Sequence, residues 1–334
     1  MTRSKVKEAD YLYLSARLSA RETKMLSRDK MSRMIEADGF SEAARTLYEC
    51  GYEDMSKMKA AEMEKALINH LEAAFSEIEP LLPEKGILDA FRLKYDYHNA
   101  KVLIKSESAD VEYEHLMSGL GRLSAKKLEE AYQSEEKGDI PGKLGEAVFE
   151  ARGVLMRTES PRLSDFVLDK AYFAELLSIA SKLSTSFLLE YAKLEIDAVN
   201  LSAIVRTQRS GGNLSQIEKA LIPGGNIDIS EVMDMLSSGE PLSKLYQDSP
   251  YKKAAQLGEE AAHEGPITEF EQALKTVAGS FSEKASSQIF GAKPVIGYIT
   301  ALENEVSAVR VILRAKLAGL EPAGIRERLG GLNV

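Results

Sequence analysis

The chain has 334 residues, of which 44% are hydrophobic and 28% charged, a composition that excludes a disordered protein. A net charge of −9 excludes nucleic-acid binding by bulk electrostatics. No apolar run approaches the roughly 18 residues that a membrane span requires, which excludes direct insertion.

In chain order, the first strongly periodic segment is MEKALINHLEAAFSEI, then PLLPEKG, then ILDAFRLKYDYHNAKVLIK. Leu88, Phe91, Tyr95 and Val102 fall at helical spacing and predict a buried stripe. Pro83 and Gly86 stop one helix and let the next begin, so two antiparallel helices are expected. A second pair follows in SDFVLDKAYFAELLSIASKL and FLLEYAKLEIDAVNLSAIVR, with Ser164 or Asp165 as the expected cap of its first arm. The third pair is ITEFEQALKTVAGSFSEKASSQIF and VIGYITALENEVSAVRVILRAKLAG. There Pro294 suits a first helical turn and Gly319 a helix end. Shorter polar helices lie between the pairs, broken by the turn signal IPGGN. No alternating strand of useful length and no Asn-Gly or Asp-Gly hairpin signal is present, so the fold class is all-α.

The pairs repeat. Asp96, Asn99 and Lys105 stand at offsets of zero, three and nine, and Asp197, Asn200 and Arg206 reproduce them. Glu305, Ala308 and Arg314 reproduce them with the amide replaced. Upstream, Glu64-Lys65-Ala66, Asp169-Lys170-Ala171 and Glu271-Gln272-Ala273 begin the first arms. The acidic positions are 101 and 108 residues apart, too far for a solenoid, so the pattern reads as domain triplication. Expected domains are 1–107, 108–209 and 210–334, with the N-terminal helix packing on the C-terminal one. Asp96 and Asn99 on one helix face predict a buried polar network locking the two arms of a hairpin.

Chemistry is hard to find. GDIPGKL lacks P-loop spacing and the Ser/Thr after Lys143, MSGLGRLS follows no strand, and G-x-S-x-G is absent. The histidines stand apart at 70, 98, 115 and 263, and Cys50 is the only cysteine. That single thiol permits no internal disulfide and suits a reducing compartment. Glu112/His115 and Glu260/His263 form two Glu-x-x-His elements, the ligand pattern of a di-metal bundle. One lies in a charged stretch and the other runs into Gly265-Pro266, so an exposed polar face accounts for them better. No catalytic, cofactor or metal residue is assigned. Charge is uneven: residues 1–33 carry nine Lys/Arg against four Asp/Glu, and residues 306–334 five against two.

The string LKYDYHNAKVLIK, the opening YLYLSARLSARETKML, DKAYFAELL and LENEVSAVRVILRAKLAGL together resemble the C subunit of V-type ATP synthases, related to the d subunit of eukaryotic V-ATPases. The resemblance spans nearly the whole chain, and Ala308 departs from it. It implies three related multihelical domains in a pseudo-threefold funnel, cytoplasmic and peripheral to the membrane. Its implied partners are the central axle of the ATP-handling head and the membrane rotor ring, with no nucleic acid, small-molecule substrate, nucleotide site or metal. The implied role is to couple ATP synthesis or hydrolysis to proton or sodium ion transport. On that basis Arg17, Arg21, Arg310 and Arg314 are expected to form one basic partner surface. Reversing their charge is expected to weaken assembly while leaving the isolated fold intact. The competing readings are an unrelated cytosolic helical scaffold and the di-metal enzyme.

Overall fold

The computed structural model describes residues 6–109, 113, 116–134, 140, 142–286 and 288–330. Every regular element among them is helical. In chain order these are α1 (Leu12–Glu22), α2 (Arg28–Glu36), α3 (Phe40–Tyr48), α4 (Ala60–Ile78), α5 (Gly86–Ala109), α6 (Ala125–Gln133), α7 (Gly142–Thr158) and α8 (Pro161–Ala180). There follow α9 (Phe187–Arg209), α10 (Leu214–Ala220), α11 (Ile229–Ser238), α12 (Leu242–Leu245), α13 (Lys252–His263), α14 (Ile267–Ser286), α15 (Ala292–Leu317) and α16 (Pro322–Leu329).

By compactness the chain forms two units. One joins Met1–Glu84 to Tyr246–Val334, and the other is Lys85–Leu245. The first expected helix pair therefore contributes α4 to one unit and α5 to the other. The expected cuts after residues 107 and 209 fall near the C-terminal ends of α5 and α9.

In the discontinuous unit, α15 is the axis. Helices α1, α2, α3, α4, α14 and α16 all pack on it. Val295, Ile296, Gly297, Tyr298, Ile299 and Thr300 are therefore buried in succession, as a helix apolar on every side requires. Its end follows the sequence: Gly319 takes a φ of +70° just past Ala318, the left-handed conformation that glycine adopts at helix C-termini. In the continuous unit α8 packs on α5, α7 and α9.

Two local expectations are corrected. Ser160, not Ser164 or Asp165, caps α8: its side chain accepts from the Leu163 N–H, and Pro161 occupies the first turn. Proline is favoured there because it lacks an N–H that would otherwise need a partner. The stripe on α5 is wider than one face. Leu88 and Phe91 are buried while Tyr95 and Val102 are only partly so, and Ile87, Leu93, Tyr97, Ala100, Leu103 and Ile104 are buried too.

Candidate functional site

The repeated acids and amides are buried, and each holds the loop that follows its helix rather than the other arm of its pair. On α5, Asn99 exchanges two hydrogen bonds with the backbone of Ser118, donating at 2.8 Å and accepting at 2.7 Å. Asp96 accepts from the Leu123 N–H at 3.2 Å and from Arg122 Nε at 2.6 Å. On α9, Asn200 makes the same exchange with Ile222, both bonds at 2.8 Å. Asp197 accepts from the Asn226 and Ile227 N–H groups at 2.9 and 3.2 Å, and from Asn226 Nδ2 at 2.8 Å. Each amide thus satisfies both polar groups of one buried peptide residue, which hydrophobic packing alone would leave costly. Burial pushes both aspartate pKa values up, against the donors that favour the charged form.

The gripped loops correspond position by position. Ser118 to Leu123 matches Ile222 to Ile227, and the next residue, Ser124 or Asp228, caps α6 or α11. Gly121 and Gly225 share the third position after the start, and a Cβ on either would stand far inside contact distance of its aspartate Oδ1. No other residue allows so close an approach.

The third copy closes on the other end of the chain. Glu305 accepts from the Leu26 N–H at 2.6 Å and from the Tyr52 hydroxyl at 2.7 Å, and Ser27 then caps α2. Leu26-Ser27 is therefore the counterpart of Leu123-Ser124 and Ile227-Asp228. The position matching Gly121 and Gly225 is Lys24, and the acid is one methylene longer. A longer acid reaches a loop that a Cβ holds further off, a geometric reason for Asp with Gly twice and Glu with Lys once. Burial pushes the Glu305 carboxyl up as well. Ala308 is buried and contributes no amide.

The basic positions pair with first arms. Lys101 and Lys105 on α5 bridge to Asp169 and Asp165 on α8 at 2.6 and 2.7 Å. At the same offsets on α15, Arg310 and Arg314 both bridge to Glu64 on α4, at 2.8 and 2.7 Å. Glu64 and Asp169 are the acids that open the repeated first arms. A second arginine pair, Arg17 and Arg21 on α1, meets Glu77 near the other end of α4. Arg206 lies in the last turn of α9.

The four candidate arginines thus lie in one unit, where α1 and α4 pack on α15 and α16 packs on both α2 and α15. All four are committed to carboxylates within the chain. Lys24, Arg28, Arg33 and Arg328 on the neighbouring segments are exposed and have no carboxylate partner among the described residues. Beside the Arg17–Arg21–Glu77 cluster a pocket is lined by Leu14, His70, Ala74 and Tyr298. His70 stacks on Tyr52 with ring centroids 3.8 Å apart. Burial, with Arg21 nearby, pushes its pKa down to about 4.

Of the di-metal pattern, Glu112 and His115 lie outside the described residues, as does much of GDIPGKL. Glu260 and His263 sit at the C-terminal end of α13, where His263 is exposed. Among the described residues no cluster of three metal-ligating side chains occurs, and no helix is long and apolar enough to cross a membrane. Sequence reading missed the gripped loops, Tyr52, Glu64 as a shared ion-pair acceptor, and Glu77. The available signal was an apolar residue followed by a capping Ser or Asp after the first two repeated pairs, Leu123-Ser124 and Ile227-Asp228.

A family model described as ATP synthase (C/AC39) subunit matches residues 14–328. The C subunit of the A-type ATP synthase of Methanocaldococcus jannaschii is 26% identical, over 98% of this chain and 88% of its own length. That of Thermococcus kodakarensis is 25% identical, over 97% of this chain and 91% of its own. The C subunit of the V-type sodium ATPase of Enterococcus hirae is 22% identical, over 96% of this chain and 98% of its own.

Proposed function

Because the chain belongs to the ATP synthase (C/AC39) subunit family, a family of structural rather than catalytic subunits, we propose that it is the central-stalk adaptor of a rotary ATPase. In this reading it joins the axle of the catalytic head to the membrane rotor ring. ATP synthesis or hydrolysis is thereby linked to proton or sodium ion transport, and the chain stays cytoplasmic and peripheral to the membrane. Family membership replaces the reading of an unrelated helical scaffold.

The observation that carries the proposal is the recurrence of one buried junction at Asp96, Asp197 and Glu305. Three junctions of one design support three related domains, 1–107, 108–209 and 210–334, in a pseudo-threefold funnel. A part that passes torque needs stiff connections between its domains, and buried, fully bonded polar groups fix one arrangement far more sharply than apolar contact does. The exposed Lys24, Arg28, Arg33 and Arg328 beside the paired arginines supply a basic surface, and charge complementarity sets the register and encounter rate of partners. Copurification tests the reading. Membranes solubilised with this chain tagged are expected to yield rotor-ring and axle subunits together, and recovery of the chain alone would contradict it.

A further inference from the structure

We propose that the junction between α15 and the N-terminal segment is a seam. The native fold opens there first, releasing α1 and α2 from α15 while the loops held by α5 and α9 stay in place. The inference concerns the isolated chain and stands independently of the coupling role.

The three junctions differ in how firmly the loop is held. At α5 and α9 the acid is helped by an asparagine that binds both polar groups of one loop residue. At α15 that residue is Ala308, which offers neither bond. The acids differ as well. Asp96 is bonded to Arg122, whose Nη1 continues to Glu175 on α8 at 2.8 Å, and Asp197 takes three donors from Asn226 and Ile227. Glu305 has the Leu26 N–H and the Tyr52 hydroxyl, and Tyr52 reaches α4 by stacking on His70. Of this grip, the Leu26 N–H alone belongs to the loop that enters α2.

Other polar ties of the N-terminal segment are Lys316 Nζ to the Ala37 carbonyl at 2.5 Å and the Tyr11 hydroxyl to Glu84 at 2.9 Å, while Arg326 to Glu36 and the Arg17–Arg21–Glu77 cluster involve half-exposed arginines and hold weakly in salt. What remains is the packing of Tyr11, Leu14, Leu18, Met31, Met34 and Ile35, all buried. Local openings span free energies from near zero up to that of global unfolding, and segments with fewer anchoring contacts lie at the lower end.

Native-state hydrogen exchange on the full-length protein, read by mass spectrometry and corrected for intrinsic rates, tests the seam. Peptides covering residues 12–36 are expected to show protection at least tenfold lower than peptides covering 118–133 and 222–238. Glu305→Gln is expected to lower protection over residues 12–36 only modestly and Glu305→Ala strongly, with neither moving the other two regions. Equal protection in the wild-type protein at all three junctions would overturn the proposal, whatever the variants do.

Discussion

Gly225 lies so close to Asp197 that a Cβ on it would overlap the carboxylate oxygen, and Gly121 stands in the same relation to Asp96. Both aspartates are pinned by donors on more than one side, so neither is free to swing away. Gly225→Ala and Gly121→Ala should each destabilise the fold by about 1–3 kcal/mol, the range for overpacking a filled site. Chemical denaturation measures this as a lower midpoint at unchanged slope. Gly211 is a control. Its surroundings are open, so any cost of Gly211→Ala comes from its φ of +72° alone.

Asn200 is the better site for separating polar satisfaction from packing. Asn200→Ala leaves both the N–H and C=O of Ile222 buried without a partner, and a loss of about 2–4 kcal/mol is expected. Asn200→Asp keeps an acceptor for the N–H but faces the Ile222 carbonyl with a carboxylate. It should cost at least as much as alanine at pH 7. Equilibrium urea melts of the two variants, side by side, check the order.

His70 gives a pH signature. Its folded pKa of about 4 lies below the unfolded value of about 6.5. Between those values the unfolded chain binds more protons than the folded one, so stability rises with pH in that window. As pH falls from about 6.5 to about 4 the contribution is lost. His70→Phe keeps the stack on Tyr52 and removes the titration. The stability of the wild type relative to this variant should fall by on the order of 1–3 kcal/mol from pH 7 to pH 4.5.

The arginine surface calls for a charge swap, because reversing Arg17 and Arg21 alone also breaks their ion pairs with Glu77. Arg17→Glu, Arg21→Glu and Glu77→Arg together retain pairing across α1 and α4 while inverting the outward sign. Exposed pairs contribute about 0–1 kcal/mol each, so the melting temperature of the swap should stay within a few degrees of wild type. Its copurification with the other proteins of the complex should drop if this face meets them, and an unchanged yield would remove these two arginines from the interface.

The helices were legible because apolar periodicity and Pro/Gly punctuation are local signals. The acidic and amide positions on α5 and α9 were legible too, since a helix keeps fixed offsets between repeats. Their partners were not. The loops Ser118–Leu123 and Ile222–Ile227 share only a glycine and an apolar residue before a cap, because backbone groups supply most of the bonds and leave little side-chain trace. Glu305 with Leu26 was invisible for a further reason: the pair is 279 residues apart, and the repeat is completed by the opposite end of the chain. For the same reason the ion pairs of Arg17, Arg21, Arg310 and Arg314 were not legible, since their acceptors Glu77 and Glu64 both lie on α4.

The coupling role itself is tested most directly in inverted membrane vesicles whose rotary ATPase lacks this chain, with ATP hydrolysis and ATP-driven ion uptake measured together. For a coupling adaptor, hydrolysis is expected to continue while ion uptake is lost, and adding the purified chain should restore uptake in step with hydrolysis. Full uptake in its absence, or hydrolysis abolished with no rescue on adding it back, would contradict that role.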